Sequence, residues 1–307
     1  MLVIDVTDWK KDERHAVFPV GARDKEMIWS PDCEVDGVKA NWPYLFKESI
    51  YRYPDQYWTE LVAYIVSKHL GVDVPKVLPA IKLAEGEIIC GSLIQWFYDV
   101  EVERFVHAGS YFKRMIPEFD DKMGKEHNLT DMAVIIRFLS MKASLKTNGL
   151  LWIAEMALFD ALIGNTDRHQ ENWGVVYEQG KTARLSPLFD NGTSLGHERF
   201  TDNIKGWDNH RLKAYVKKGK HHLRLEREET KSRVPHFLLV KALFGLNQEC
   251  SDHIKQKVDN LDLVSMLAEI EDLTKIKAEV PFTQERFEWI QKNLKVRFEL
   301  IKEELKQ

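Results

Sequence analysis

The spacing of apolar positions changes along this chain. The segment "HAVFPVGARDKEMIW" (15–29) reads as a strand, a tight turn and a second strand. "WPYLFKES" (42–49) alternates apolar and polar residues, as a half-buried strand does, and brings Lys47 to its end. "DQYWTELVAYIVSKHLG" (55–71) switches to helical spacing, with Trp58, Leu61, Ile65 and Leu70 on roughly one face. Gly71 stands where a left-handed residue closes a helix. "LPAIKLAEGEIICGSLIQWFYD" (78–99) predicts two strands joined through Glu85-Gly86, the second running into Gln95–Asp99.

Past about residue 100 helical spacing dominates. "TDMAVIIRFLSMKAS" (130–144) and "GLLWIAEMALFDALIG" (149–164) predict helices, and "TARLSPLFDNGTSLG" (182–196) a short strand and a loop. In the last segment Phe287, Ile290, Leu294, Phe298, Ile301 and Leu305 recur at helical intervals behind a Thr283 cap. These patterns predict an α+β fold of two lobes. Residues 1–99 would form a small β-rich N-lobe and residues 100–307 a larger helical C-lobe, with the junction near Tyr98–Val102.

Composition narrows the function class. With 307 residues and 44% hydrophobic content the chain can bury a full core. A net charge of −4 exerts no strong pull toward nucleic acid or an anionic membrane. The three cysteines, Cys33, Cys90 and Cys250, lie far apart without a CxxC, which argues against a disulfide framework or a zinc–thiolate site and fits a reducing compartment. The N-terminal residues lack the pattern of a signal peptide, and the most apolar helix carries Glu155 and Asp160 and is too short to span a bilayer. The expectation is a cytoplasmic protein with no membrane contact, in which the sequons at Asn128 and Asn191 are accidental.

The candidate chemistry centres on "ALIGNTDRHQENWG" (161–174), which crowds Asp167, Arg168, His169, Glu171 and Asn172 behind an apolar helix. Asp190 follows in "PLFDNG". Phosphoryl transfer from a nucleotide demands mainly positioning and charge neutralisation. One carboxylate takes or orients the proton of the attacking hydroxyl, and a carboxylate with an amide oxygen can hold Mg²⁺, which favours hard oxygen ligands and keeps water and phosphate in its other positions. Asp167 as base, with Asn172 and Asp190 as metal ligands, satisfies both needs. In the first lobe, "GARDK" offers Gly21, Ala22, Arg23 and Lys25 as a turn whose backbone N–H groups face phosphate. No Walker sequence occurs. Lys47 would meet the α- and β-phosphates, and Glu60, on the next helix, would pair with it, as a strand lysine and a helix glutamate do in protein kinases.

"LIGNTDRHQENWG" followed by "LSPLFDNGTSLG" closely resembles the catalytic and metal-binding segments of HipA-like serine/threonine kinases. "GARDKEMIW", "YLFKES" and "YPDQYWTELVAYIVSKHLGVDVP" resemble that family's phosphate loop, ATP-lysine strand and following helix. The likeness runs in order over roughly residues 16–195. It implies a protein-kinase-like, two-lobed fold related to phosphatidylinositol kinases, with ATP and Mg²⁺ in the cleft and a Ser or Thr of a protein as acceptor. Asp167 would be the base, Asn172 and Asp190 the Mg²⁺ ligands, and Lys47 a phosphate ligand, with His169 also near phosphate. "IQWFYD" falls at the hinge, where Gln95 would offer backbone groups to adenine and Phe97 would pack on the ring; Phe189 would lie under the base or fill core.

The sequence reads as a short, single-module member of that family. An antitoxin-type partner belongs to the family picture, as does a translation-related substrate. "HAVFPVGARDK", however, has no Ser or Thr where the family's prototype is autophosphorylated. A lipid kinase is the nearest alternative, but "NGTSLGHERFTDNIKGWDNHRL" lacks the dense basic cluster that an anionic bilayer would attract. A nucleotide-binding pseudokinase would have lost a ligand, and none is missing. The basic run "RLKAYVKKGKHHLRLEREETKSR" (211–233) is interrupted by glutamates, reads as a solvated helical face, and gives no reason to expect direct nucleic-acid binding.

Overall fold

The computed structural model describes residues 2–13, 23–33, 35–120, 122–178, 182–228 and 231–306. Among these, six strands form the first sheet: β1 (Ile4–Asp5), β2 (Lys10–Lys11), β3 (Lys25–Trp29), β4 (Pro43–Glu48), β5 (Val77–Ala84) and β6 (Glu87–Gln95). Their spatial order is β1-β5-β6-β4-β3-β2, antiparallel except for the β1–β5 pair. The β5–β6 hairpin turns through Glu85 and Gly86 at φ values of 52° and 85°, the two positive dihedrals that a tight hairpin turn requires.

Side-chain alternation sends each strand's residues to two different layers. Tyr44, Phe46, Leu78, Ala80 and Leu93 join Ile4, Val6 and Ile28 in a small core on one face. Leu45, Val77, Cys90 and Ile94 face the other way, against α1 (Tyr57–Leu70) and the main core. Lys47 shares the parity of Leu45, so the strand's own pleat aims it at the α1 side. Helix α1 ends at Gly71, whose φ of 69° closes it in the left-handed conformation.

The second part comprises β7 (Glu103–His107), α2 (Ala108–Met115), α3 (Leu129–Lys142), α4 (Gly149–Ile163), β8 (Gly174–Glu178), β9 (Ala183–Leu185), α5 (Thr201–Ile204), α6 (Asn209–Lys217), α7 (His236–Phe244), α8 (Gln248–Asn260), α9 (Leu263–Glu271) and α10 (Gln284–Glu304). Helix α4 is buried on nearly every side and packs against α1, α3, α7, α8 and α10. A helix apolar all round belongs in the middle of a bundle. Its Asn148 side chain accepts from the Leu150 and Leu151 N–H groups, and Gly164 ends it at φ 69°. One continuous core runs from α1 through α4 to α10. No described helix is long and apolar enough to cross a membrane. The architecture is an α+β fold of two lobes.

Several expectations meet a different outcome. The first strand of the 15–29 hairpin lies outside the described residues. A second sheet, β7-β8-β9, forms in the helical part: β9 falls on the short strand expected in 182–196, while β7 and β8 were not expected. Its strands are too short for periodicity to declare, and β7 pairs with β8 across a long stretch of helix. The basic run is not a solvated helical face beyond Lys217. His221, His222 and Leu223 turn inward and are buried, Arg224 donates to the Gly124 carbonyl at 2.8 Å, and Arg227 pairs with Asp131. Both sequon asparagines are buried: Asn128 caps α3 by accepting from the Asp131 N–H, and Asn191 lies in the site described next.

Candidate active site

The loop after α4 is anchored by a charge sequestered within that helix. Asp160 and Arg168 are both fully buried. Arg168 Nε and Nη2 donate to the two Asp160 oxygens, each at 3.0 Å, and His221 Nε2 meets Asp160 Oδ2 at 3.0 Å. Burial alone would raise the Asp160 pKa; the Arg168 charge and the His221 contact outweigh it and bring it to about 2. The same guanidinium donates to the carbonyls of Asn172 and Phe189 and, at 2.6 Å, to Asn191 Oδ1. Arg168 therefore ties the 165–173 loop to the segment that carries Asp190.

Within the loop, the Asp167 N–H donates to Asn165 Oδ1 at 2.9 Å, and Asn172 Nδ2 donates to the Asp167 carbonyl at 2.7 Å. These bonds fix the Asp167 backbone and the Asn172 side chain. Burial pushes the Asp167 carboxyl up; His169 opposes this, and the Asp190 charge adds to it. His169 Nδ1 accepts from the Glu171 N–H at 3.1 Å, and its ring meets His222 edge-on at 5.8 Å. His169 thus ties loop backbone together beside Asp167.

The sheet and α1 bring the opposing charges. Lys47 Nζ lies 2.9 Å from Glu60 Oε1 and 2.5 Å from Asp190 Oδ1. Lys47 and Glu60 are almost wholly buried, while the Asp190 side chain keeps 30% exposure. Arg23 Nη2 joins them, 3.3 Å from Glu60 Oε1 and 3.4 Å from Asp190 Oδ1. Glu60 Oε2 accepts the Asn191 N–H at 2.9 Å, so α1 is bonded directly to the backbone beside Asp190. Asp190 adopts φ 58°, unusual for a residue with a side chain. Burial opposes its ionisation, but Lys47 and Arg23 outweigh it and hold its carboxyl far below the usual range. Lys25 is the cross-strand neighbour of Lys47; burial lowers its pKa, and the Asp190 charge works the other way. Gly21 and Ala22 lie outside the described residues.

At the end of β6 lie Gln95 and Phe97, the residues expected on the adenine side. The Gln95 N–H already donates to the Lys76 carbonyl at 2.8 Å and the Trp96 N–H to Pro43 at 3.1 Å, so neither stands open to a base. The Phe97 carbonyl accepts from Arg184 Nη2 at 3.1 Å. Phe97 and Phe189 stack on each other at 5.2 Å and 16°, with Phe105 edge-on to both. The two rings join the segment after β6 to the loop that carries Asp190 and, stacked directly, leave no slot between them for a third.

The donor set suits Mg²⁺. Asp190 supplies a partly exposed carboxylate, and Asn172, held through its Nδ2, has an amide oxygen with no hydrogen bond among the described residues. One or two protein oxygens are what this ion normally takes, with water and phosphate completing the shell. Among the described residues no group of three or more His, Cys, Asp or Glu side chains gathers as a metal cage.

Asp160, Asn165, Asn191 and His221 were not foreseen as parts of the site. A carboxylate inside the apolar run "ALFDALIG" was the available signal for Asp160, since a charge in a buried helix needs a partner. Nothing local marks the others.

No curated protein matches the chain. Among solved structures it is similar to the Helicobacter pylori proinflammatory kinase CtkA, at 19% identity and TM-score 0.73, over 99% of this chain and 96% of that one. It also aligns with HipA in a Shewanella oneidensis complex of HipA, HipB and operator DNA, at 12% identity and TM-score 0.41, over 95% of this chain and 66% of that one. The model of the HipA-like C-terminal domain matches residues 19–263. The chain belongs to the HipA-like C-terminal domain family.

Proposed function

We propose that this chain is an ATP- and Mg²⁺-dependent serine/threonine protein kinase of the HipA-like type. The observation that carries this reading is the meeting of Lys47, Glu60 and Asp190, drawn from three separate segments, beside the loop that holds Asp167 and Asn172. Lys47, oriented by Glu60, is placed to bind phosphate oxygens. Asp190 and Asn172 would hold Mg²⁺, which supplies neutralisation of triphosphate charge when bound. Asp167 accepts the proton of the incoming hydroxyl as its oxygen bonds to the γ-phosphorus and the bond to ADP breaks. Its raised pKa makes it a better proton acceptor than an ordinary aspartate. The buried Arg168–Asp160 pair keeps the base and the metal loop in fixed relation, the positioning on which such chemistry depends.

Thermal denaturation with ATP, with and without Mg²⁺, followed by phosphate transfer to the chain itself or to lysate proteins, tests the reading. We expect a Mg²⁺-dependent stabilisation and phosphoserine or phosphothreonine in the product. Absence of both ATP binding and Mg²⁺-dependent transfer overturns it.

A further inference from the structure

Arg23 is only 9% exposed, yet it is poorly satisfied. Its contacts to Glu60 and Asp190, at 3.3 and 3.4 Å, are long beside the roughly 2.7–2.9 Å of a good charge-assisted bond. Nη1 is buried and makes no hydrogen bond among the described residues. Arg168, by contrast, is bonded through all three of its guanidinium nitrogens. A buried cation that is meant to stay is normally fully paired.

The seat itself is built around the guanidinium. A Cβ at Gly192 would fall 2.2 Å from Nη2 and 2.4 Å from Nη1 of Arg23, so the group fits only because residue 192 has no side chain. Gln56 Nε2 and Thr59 Oγ1 hold the Gly192 carbonyl at 2.9 and 3.2 Å, fixing the cradle to the start of α1. Glu60 Oε1 contacts both Arg23 and Lys47, and so offers either cation a partner if Asp190 is taken by another ion.

We propose that Arg23 is a second, displaceable counter-cation beside Lys47, held in the Gly192 cradle against Asp190 until a divalent ion displaces it. This rests on the kinase reading and adds to it a positioning residue that sets how readily metal enters. The cost of removing Arg23 would then appear in nucleotide binding without metal, and the gain in metal binding without nucleotide.

Nucleotide-free Mn²⁺ binding to the full chain, followed by electron paramagnetic resonance at fixed ionic strength, tests it. We expect Arg23→Gln to bind Mn²⁺ about tenfold more tightly, because a positive charge beside the ligand carboxylate is gone. Gly192→Ala keeps the arginine but fills its seat, and should shift Mn²⁺ affinity in the same direction; Arg23→Lys should return it toward wild type. Circular dichroism verifies that each variant is folded. Unchanged or weaker Mn²⁺ binding in Arg23→Gln overturns the proposal, and a shift in Arg23→Gln without one in Gly192→Ala overturns the assigned seat. A wild-type chain that responds to Mg²⁺ and ATP while both variants bind Mn²⁺ as it does sinks this inference alone; a wild-type chain with no nucleotide response sinks the kinase reading first.

Discussion

The Lys47 ammonium and the Asp190 carboxylate, 143 residues apart in the chain, meet at 2.5 Å. Lys47 comes from the sheet and Asp190 from the loop after β9, and Glu60 of α1 completes the group by contacting Lys47 at 2.9 Å and receiving the Asn191 N–H. This contact links the two lobes through charges rather than through apolar packing alone.

Removal of Lys47 therefore affects stability as well as chemistry. Lys47→Met leaves Glu60, 1% exposed, with the long Arg23 contact as its one ion pair among the described residues, beside the Asn191 N–H. Breaking a buried pair from one side costs about 3–5 kcal/mol. Thermal denaturation should show a clear loss of stability, and phosphate transfer should fall to background; a variant as stable as wild type would contradict the buried pairing.

Asp167→Asn should behave in the opposite way. Burial raises the Asp167 pKa, so its ionised form is disfavoured in the folded chain, and that cost is present above the folded pKa and relieved as pH falls through it. The neutral amide removes the cost. We expect a melting temperature equal to or above wild type at neutral pH, with transfer reduced by about 10²–10⁴-fold. In the wild type, the transfer rate should decline with falling pH at a value above the ordinary 3.8 of aspartate.

Asp160 supports the site without touching substrate. Its folded pKa of about 2 lies below the ordinary 3.8, so its contribution to stability is complete above the higher value and lost as pH falls toward the lower one. Asp160→Asn leaves the buried Arg168 charge unbalanced, and a loss of about 3–5 kcal/mol is expected at neutral pH. Acid titrations monitored by circular dichroism should show the wild type losing stability across that window and the variant lacking that step.

Asp190→Asn separates metal from nucleotide. The amide keeps an oxygen but not the charge that attracts Mg²⁺, while Lys47 retains Glu60 as a partner. Stabilisation by ATP should become independent of Mg²⁺; a shift that still grows with Mg²⁺ would place the metal elsewhere.

What the sequence by itself determined is local. Alternation in "WPYLFKES" marks the Lys47 strand, helical spacing and Gly71 bound α1, and a Thr283 cap begins the last helix; its side chain accepts the Arg286 N–H. Each rests on contacts within a few residues, where backbone geometry leaves few choices. The crowding of Asp167, Arg168, His169 and Asn172 behind an apolar run was legible for the same reason. Tertiary structure alone decided that Arg168 reaches back to Asp160, that His221 leaves a basic run to join them, and that Gln95 spends its N–H on Lys76. It also decided that Arg23 settles against Gly192. Those partners lie in segments whose approach depends on how α1, α4 and the sheet pack, and neither periodicity nor spacing within one segment carries that information.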